Sequence, residues 1–342
     1  MAAGTARPVM PDPVALARAI SDGVLFPGAL EVDASDIVPV DRLDRLASAG
    51  FYGLAGPADA GGMGVADMAT ALEVIEIIAS GCLTTAFVWI QHHGAVRALL
   101  GAPPALRDAW IGRLCAGEVR AGVAFSGLRR PGPPILTASQ DGEGWRFQGF
   151  APWVTGWGRI DVVRAAARRE NGDIAWALVD ATAGPTLQAE RLQLAAVNAS
   201  ATVTLSFDQH PVPADRVISI QPFDEWREQD RASLRLNGSL ALGVARRCAL
   251  LLESEALTAE LDECRRSLDQ ASPESMPEQR ARASELALRA ATELVVLGGG
   301  RAIALDHQAQ RLSREALFLL VFGQTAAIKA AQLHRLYHES HG

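Results

Sequence analysis

At 342 residues, 49% hydrophobic and 21% charged, the chain is long enough for two or three domains and too apolar to be disordered. A net charge of −7 argues against a nucleic-acid backbone as the main partner, because phosphate binding needs a basic face. No apolar run approaches the roughly 18 residues of a membrane span, and the N-terminus lacks an apolar core with a cleavage signature, so a cytoplasmic protein is expected.

In chain order, residues 1–118 read as helices. Val40, Leu43 and Leu46 recur at three-residue intervals and the pattern stops at Gly50. Residues 65–100 are apolar on most sides, which predicts one or two buried helices. "PPALRDAWIGRLCAG" (103–117) opens on proline and closes on glycine, as a further helix would. From Arg120 to about Ile218 the signals are those of strands. Val203, Leu205 and Phe207 alternate with Thr202, Thr204 and Ser206, and Asn171-Gly172 joins two strands as a hairpin turn. "QHPVPADRVI" (209–218) reads as the exit from this block. Helical periodicity returns after Asp224, over 232–257, 277–297 and 310–339, with a break at "LGGG" (297–300) and an interruption near Gly323.

The cysteines, Cys82, Cys115, Cys248 and Cys264, lack metal or redox spacing and read as reduced, buried thiols. His92-His93 lies in a helix with no metal-spaced partner and reads as a packed or solvated pair. No Rossmann or phosphate-loop glycine pattern occurs. "APWVTGWG" (151–158) sets Trp153 and Trp157 around Thr155, which fits either a wall against a flat ligand or a pair of core tryptophans beside a turn.

Four phrases in order resemble the acyl-CoA dehydrogenase superfamily: "LASAGFYGLAGPADAGGMG" (46–64), "GWRFQGFAPWVTGWGRIDVV" (144–163), "LSFDQHPVPADRVI" (205–218) and "RLSREALFLLVFGQT" (311–325). The resemblance implies an α+β multidomain fold. It has an N-terminal helical domain (1–118), a central β-barrel (119–222) and a C-terminal four-helix bundle (223–342), in a homo- or hetero-oligomer. It implies FAD between barrel and bundle, with Trp153 against the flavin ring and Thr155 donating near N5 or O4. Ser126, Gly298, Gly299 and Thr325 are the further cofactor-side positions. The implied reaction is α,β-dehydrogenation of an acyl thioester, acyl-CoA or similar, with hydride passing to flavin and onward to an electron-transfer partner.

The departures concern the base. Where the family carries a glutamate in a "Y-E-G-T" phrase, this chain has Phe322 then Gly323. The alternative position, on the first bundle helix, falls at Ser233. Neither residue has the basic strength to take an α-proton. Asp230, Asp306 and Glu315 are the remaining candidate carboxylates, with Glu315 also fitting a structural ion pair. Arg129 and Arg130 fit a pyrophosphate contact or a solvated charge pair, and Gly298-Gly299 fits an adenine-side loop or a helix C-cap. Two alternatives stay open. One is a flavin-dependent monooxygenase on the same scaffold, giving weight to Ser233 or His307. The other is a silent partner subunit of a heteromeric dehydrogenase.

Overall fold

The computed structural model describes residues 12–65 and 67–338. The first eleven residues and Glu339, at the end of the expected last helix, lie outside them. The chain begins with α1 (Pro13–Ile20), which runs on through a wider turn to Leu25, then α2 (Ala29–Ala34) and α3 (Val40–Ser48). The apolar stretch that follows forms two helices, α4 (Met68–Gly81) and α5 (Leu83–Leu99), joined through Cys82. Asp67 caps α4 by accepting from the Thr70 amide at 2.8 Å. α6 (Pro104–Ala116) ends at Gly117 in the left-handed region.

Strands then take over: β1 (Ala121–Ala124), β2 (Leu136–Asp141), β3 (Gly144–Val154), β4 (Val162–Arg169), β5 (Ile174–Asp180), β6 (Leu187–Arg191), β7 (Val203–Val212) and β8 (Val217–Gln221). The expected barrel is one mixed eight-stranded sheet in the order β6-β7-β3-β2-β4-β5-β8, with β1 running parallel beside β4. One face wraps a core of its own, in which Phe147, Val163, Leu205 and Phe207 meet. The predicted hairpin is β4–β5, and the predicted alternation along β7 buries Val203, Leu205 and Phe207. The other face of β4 and β5, carrying Val162, Ala166, Trp176 and Leu178, packs on α5 and α6.

Helices finish the chain: α7 (Phe223–Ala232), α8 (Leu234–Leu252), α9 (Glu255–Gln270), α10 (Met276–Gly298), α11 (Gln308–Val321) and α12 (Ala326–His338). The interruption near Gly323 is the break between α11 and α12. These helices share one core with the N-terminal ones, so chain ends far apart in sequence pack as a unit. Gly243 shows why α4 and α8 lie so close: a Cβ there would stand 2.6 Å from both the Ala79 side chain and the Glu76 carbonyl. Glu76, 1% exposed, is held from a third helix by Arg265 of α9 at 2.8 Å. Helices from both ends and the sheet thus meet along one line, and the cavity lies there.

Candidate functional site

A cavity of about 1280 Å³ is walled by α4 and α5, by the α-facing side of the sheet, and by α7, α8 and α11. It exceeds the roughly 300–1,000 Å³ of a usual small-ligand pocket, which leaves room for two ligands side by side.

Trp153 forms part of the sheet wall. Pairing of β3 with β7 slips between Ala151 and Val154, where three steps on β3 face two on β7. That bulge re-aims the chain, and Trp153 takes φ 62, a conformation that bulky residues rarely adopt. The indole remains 52% exposed toward the cavity. Such strain, of order 1–3 kcal/mol, concentrates at ligand sites. Trp157, by contrast, packs against the sheet core. Of the two tryptophans of "APWVTGWG", Trp153 thus faces the cavity and Trp157 the sheet core.

Thr155 is buried and lines the same wall. Its hydroxyl lies 3.2 Å from that of Thr202, which lies 2.8 Å from that of Ser200. When Ser200 donates to Thr202 and Thr202 to Thr155, the Thr155 proton is left to face the cavity. Ser126 lines the cavity too, and its hydroxyl donates to the Pro152 carbonyl at 2.5 Å, bracing the turn before Trp153. Opposite, Phe87, Phe318 and Phe322 cluster with ring centroids 5.0–5.5 Å apart.

The two expected base positions also line the cavity. The Ser233 hydroxyl donates to the Asp230 carbonyl at 2.7 Å, spanning the joint between α7 and α8. Gly323 sits at φ 61, and a Cβ on it would stand 2.5 Å from Asn237 Nδ2. Asn237 fills the space an acid side chain would enter. Of the three candidate carboxylates only Asp230 lines the cavity. Both its oxygens accept from Arg129, at 2.6 and 2.8 Å. Arg129 is therefore held in an ion pair and is not the solvated charge that stood as the alternative to a pyrophosphate contact. Glu315 is buried against Arg311 at 2.6 Å, and burial raises its carboxyl pKa despite that partner. Asp306 is exposed outside the cavity, and His307 caps α11 by accepting from the Ala309 amide at 3.2 Å.

Three cofactor-side positions fall elsewhere. Thr325 starts α12, its hydroxyl accepting from the Ile328 amide at 3.2 Å. Gly298 and Gly299 end α10 on the surface, so within this chain the C-cap role is the one seen. Exposed Val296, Leu297, Ile303 and Leu305 surround them.

The charge of the cavity was hidden in the sequence. Six arginines line it (Arg97, Arg129, Arg130, Arg164, Arg235 and Arg314) against the single acid Asp230. Arg235 and Arg314 reach outward to Asp269 and Asp33. His92 and His93 are the packed pair of the two alternatives, both buried with ring centroids 5.7 Å apart, but their hydrogen bonding differs. His92 Nδ1 accepts from the Ala121 amide, so Nε2 donates to the Leu114 carbonyl, each at 3.1 Å. His93 lines the cavity with neither ring nitrogen hydrogen-bonded, and burial pushes its pKa down to about 3.

Comparison with known proteins follows the same lines. The model of the N-terminal domain of acyl-CoA dehydrogenases matches residues 14–118. A probable acyl-CoA dehydrogenase of Mycobacterium tuberculosis is 26% identical over 210 residues, 59% of this chain and 54% of that relative. The chain thus spans about half the length of the curated relatives it matches. The structure of butyryl-CoA dehydrogenase from Megasphaera elsdenii superposes with a TM-score of 0.81 at 16% identity, covering 97% of this chain and 98% of that one. A glutaryl-CoA dehydrogenase from Mycobacterium smegmatis in complex with FADH2 superposes with a TM-score of 0.78 at 18% identity, covering 97% and 95%. At these identities the structural likeness establishes the fold. Among the described residues no helix is long and apolar enough to cross a membrane, and no cluster of metal-ligating side chains occurs.

Proposed function

The chain belongs to the acyl-CoA dehydrogenase superfamily, and from that premise we propose that it is an FAD-dependent oxidoreductase that removes hydrogen across the α and β carbons of an acyl thioester. The observation that carries this reading is Trp153, held in strained backbone with its ring presented to a cavity large enough for cofactor and substrate together. FAD bound there supplies the acceptor for a hydride. Trp153 gives a flat ligand a rigid apolar wall, and the Thr155 hydroxyl, when it accepts from Thr202, provides a fixed donor beside it. The excess of arginine along the cavity suits the negative charge of both FAD and a CoA thioester.

The α-proton needs an acceptor, and Asp230 is the candidate that the cavity reaches. While both its oxygens hold Arg129 it is a weak base, so proton transfer requires that pair to open. This same engagement, with the Gly323 slot filled and Ser233 occupied as a cap, favours a second reading: a flavin-dependent monooxygenase, which needs no α-proton base but draws on reduced flavin and oxygen. The apolar residues around Gly298 suit coverage by a second chain, and flavin reoxidation by an electron-transfer partner completes the proposal.

The test is the visible spectrum of the purified protein, with its mass by light scattering, before and after acyl-CoAs are added without oxygen. Bleaching by a thioester, slowed about 10²–10⁴-fold in Asp230→Asn, is the expected result. Bleaching that Asp230→Asn leaves untouched moves the proton acceptor elsewhere. A flavin band that no thioester moves favours the monooxygenase, and a folded protein that takes up no flavin removes both readings.

A further inference from the structure

One corner of the cavity holds positive charge with nothing to balance it. Arg164 projects from the α-facing side of β4, where its guanidinium stacks on the Trp176 ring at 3.7 Å. Its Nε is sealed from solvent without a hydrogen bond. Its Nη1 lies 3.8 Å from the point a side chain on Gly94 would occupy, which places it beside α5. Arg97, one turn further along α5, is the charged neighbour that acts on it; that repulsion adds to burial in lowering the Arg164 pKa to about 10. Neither arginine has an ion-pair partner among the described residues, and the cavity's single acid is engaged by Arg129. His93, one turn before Arg97 on α5, lines the same cavity, 4% exposed and with neither ring nitrogen hydrogen-bonded.

A half-buried guanidinium whose Nε is sealed and a buried imidazole, both without polar partners, are costly. The cost is relieved when an anion accepts hydrogen bonds from the groups that face the cavity, with exposed Arg97 adding its charge. A planar fork of N–H donors matches a carboxylate. A neutral imidazole adds one more donor. We infer that Arg164, Arg97 and His93 form an anion subsite that receives the terminal carboxylate of a dicarboxylic acyl thioester. The inference rests on the dehydrogenase reading for the thioester, but the carboxylate contact stands on these residues alone.

The experiment measures binding of dicarboxylic monothioesters of CoA to the protein as purified, each beside the straight-chain thioester of equal length and beside free CoA. The expected preference for the charged tail is about tenfold or more. Arg164→Gln should erase that preference while holding the neutral-tail affinity, and Arg164→Lys should keep part of it. No preference in the unaltered protein overturns the inference. So does an equal loss for both tails and free CoA in Arg164→Gln, which would place a CoA phosphate on Arg164. If no thioester binds, the dehydrogenase reading fails by itself. Melting with and without glutarate then decides the subsite. Stabilisation lost in Arg164→Gln upholds it, and none in the unaltered protein overturns it.

Discussion

The two ends of the cavity were built under different rules. The wall of Trp153, Thr155 and Ser126 hangs on the sheet, where strand register, a bulge and a chain of buried hydroxyls fix each side chain from behind. The end where the helices meet hangs on the junctions α7–α8 and α11–α12. Its residues there serve each other: Ser233 caps α7, Asn237 fills the space beside Gly323, and Asp230 holds Arg129. The difference teaches that the wall proposed to hold a flat ligand and the end proposed to move a proton are separable parts of this fold. Each is supported by its own scaffold, so one can change while the other keeps its geometry.

The sharpest way to break this comparison is to put the acid back. Gly323→Glu must hold a side chain at φ 61 and displace Asn237, for a loss of about 2–4 kcal/mol of stability from backbone strain and overpacking. We expect urea denaturation to show that loss and anaerobic bleaching by acyl-CoAs to gain nothing. A gain in bleaching would mean that Asn237 yields readily and that the slot is open after all.

What the sequence made legible divides along the same line. The β7 alternation, the Asn171-Gly172 hairpin and the break near Gly323 are local signals, and each is where its residues said it would be. The position of Trp153 was legible through the order of four phrases, not through any property of the residue itself. The basic character of the cavity was not legible: its arginines come from α5, the turn after β1, β4, α8 and α11, and an overall charge of −7 conceals them. His93 was obscured by its neighbour, because two adjacent histidines on a helix apolar on most sides look alike in sequence. Only tertiary contacts give His92 two partners and His93 none. Arg129 was read without Asp230, 101 residues away, since no local pattern reports a pair of that separation.

A smaller effect sharpens the comparison from the sheet side. Trp153→Gly removes a half-exposed ring and lets the backbone adopt φ 62 without penalty. Stability without ligand should therefore hold or rise by up to about 1 kcal/mol. Flavin affinity, measured by fluorescence titration, should fall about tenfold to a hundredfold, the loss expected of a central aromatic contact. A protein that loses stability and keeps its flavin would make Trp153 a packing residue and remove the main support for the site.

The smallest effect separates the two duties of Thr155. Thr155→Val keeps the shape of the side chain and deletes the hydroxyl that stands at the end of the Ser200–Thr202 chain. Losing that internal partner should cost about 1 kcal/mol in the flavin-free protein. If the Thr155 proton also faces a bound flavin, the flavin-loaded protein loses a second hydrogen bond, and the drop in melting temperature is larger with flavin than without. Thr155→Ser should recover most of both losses, because it restores the hydroxyl. Equal drops in the two states would confine Thr155 to the sheet, leaving Trp153 alone as the contact on that wall.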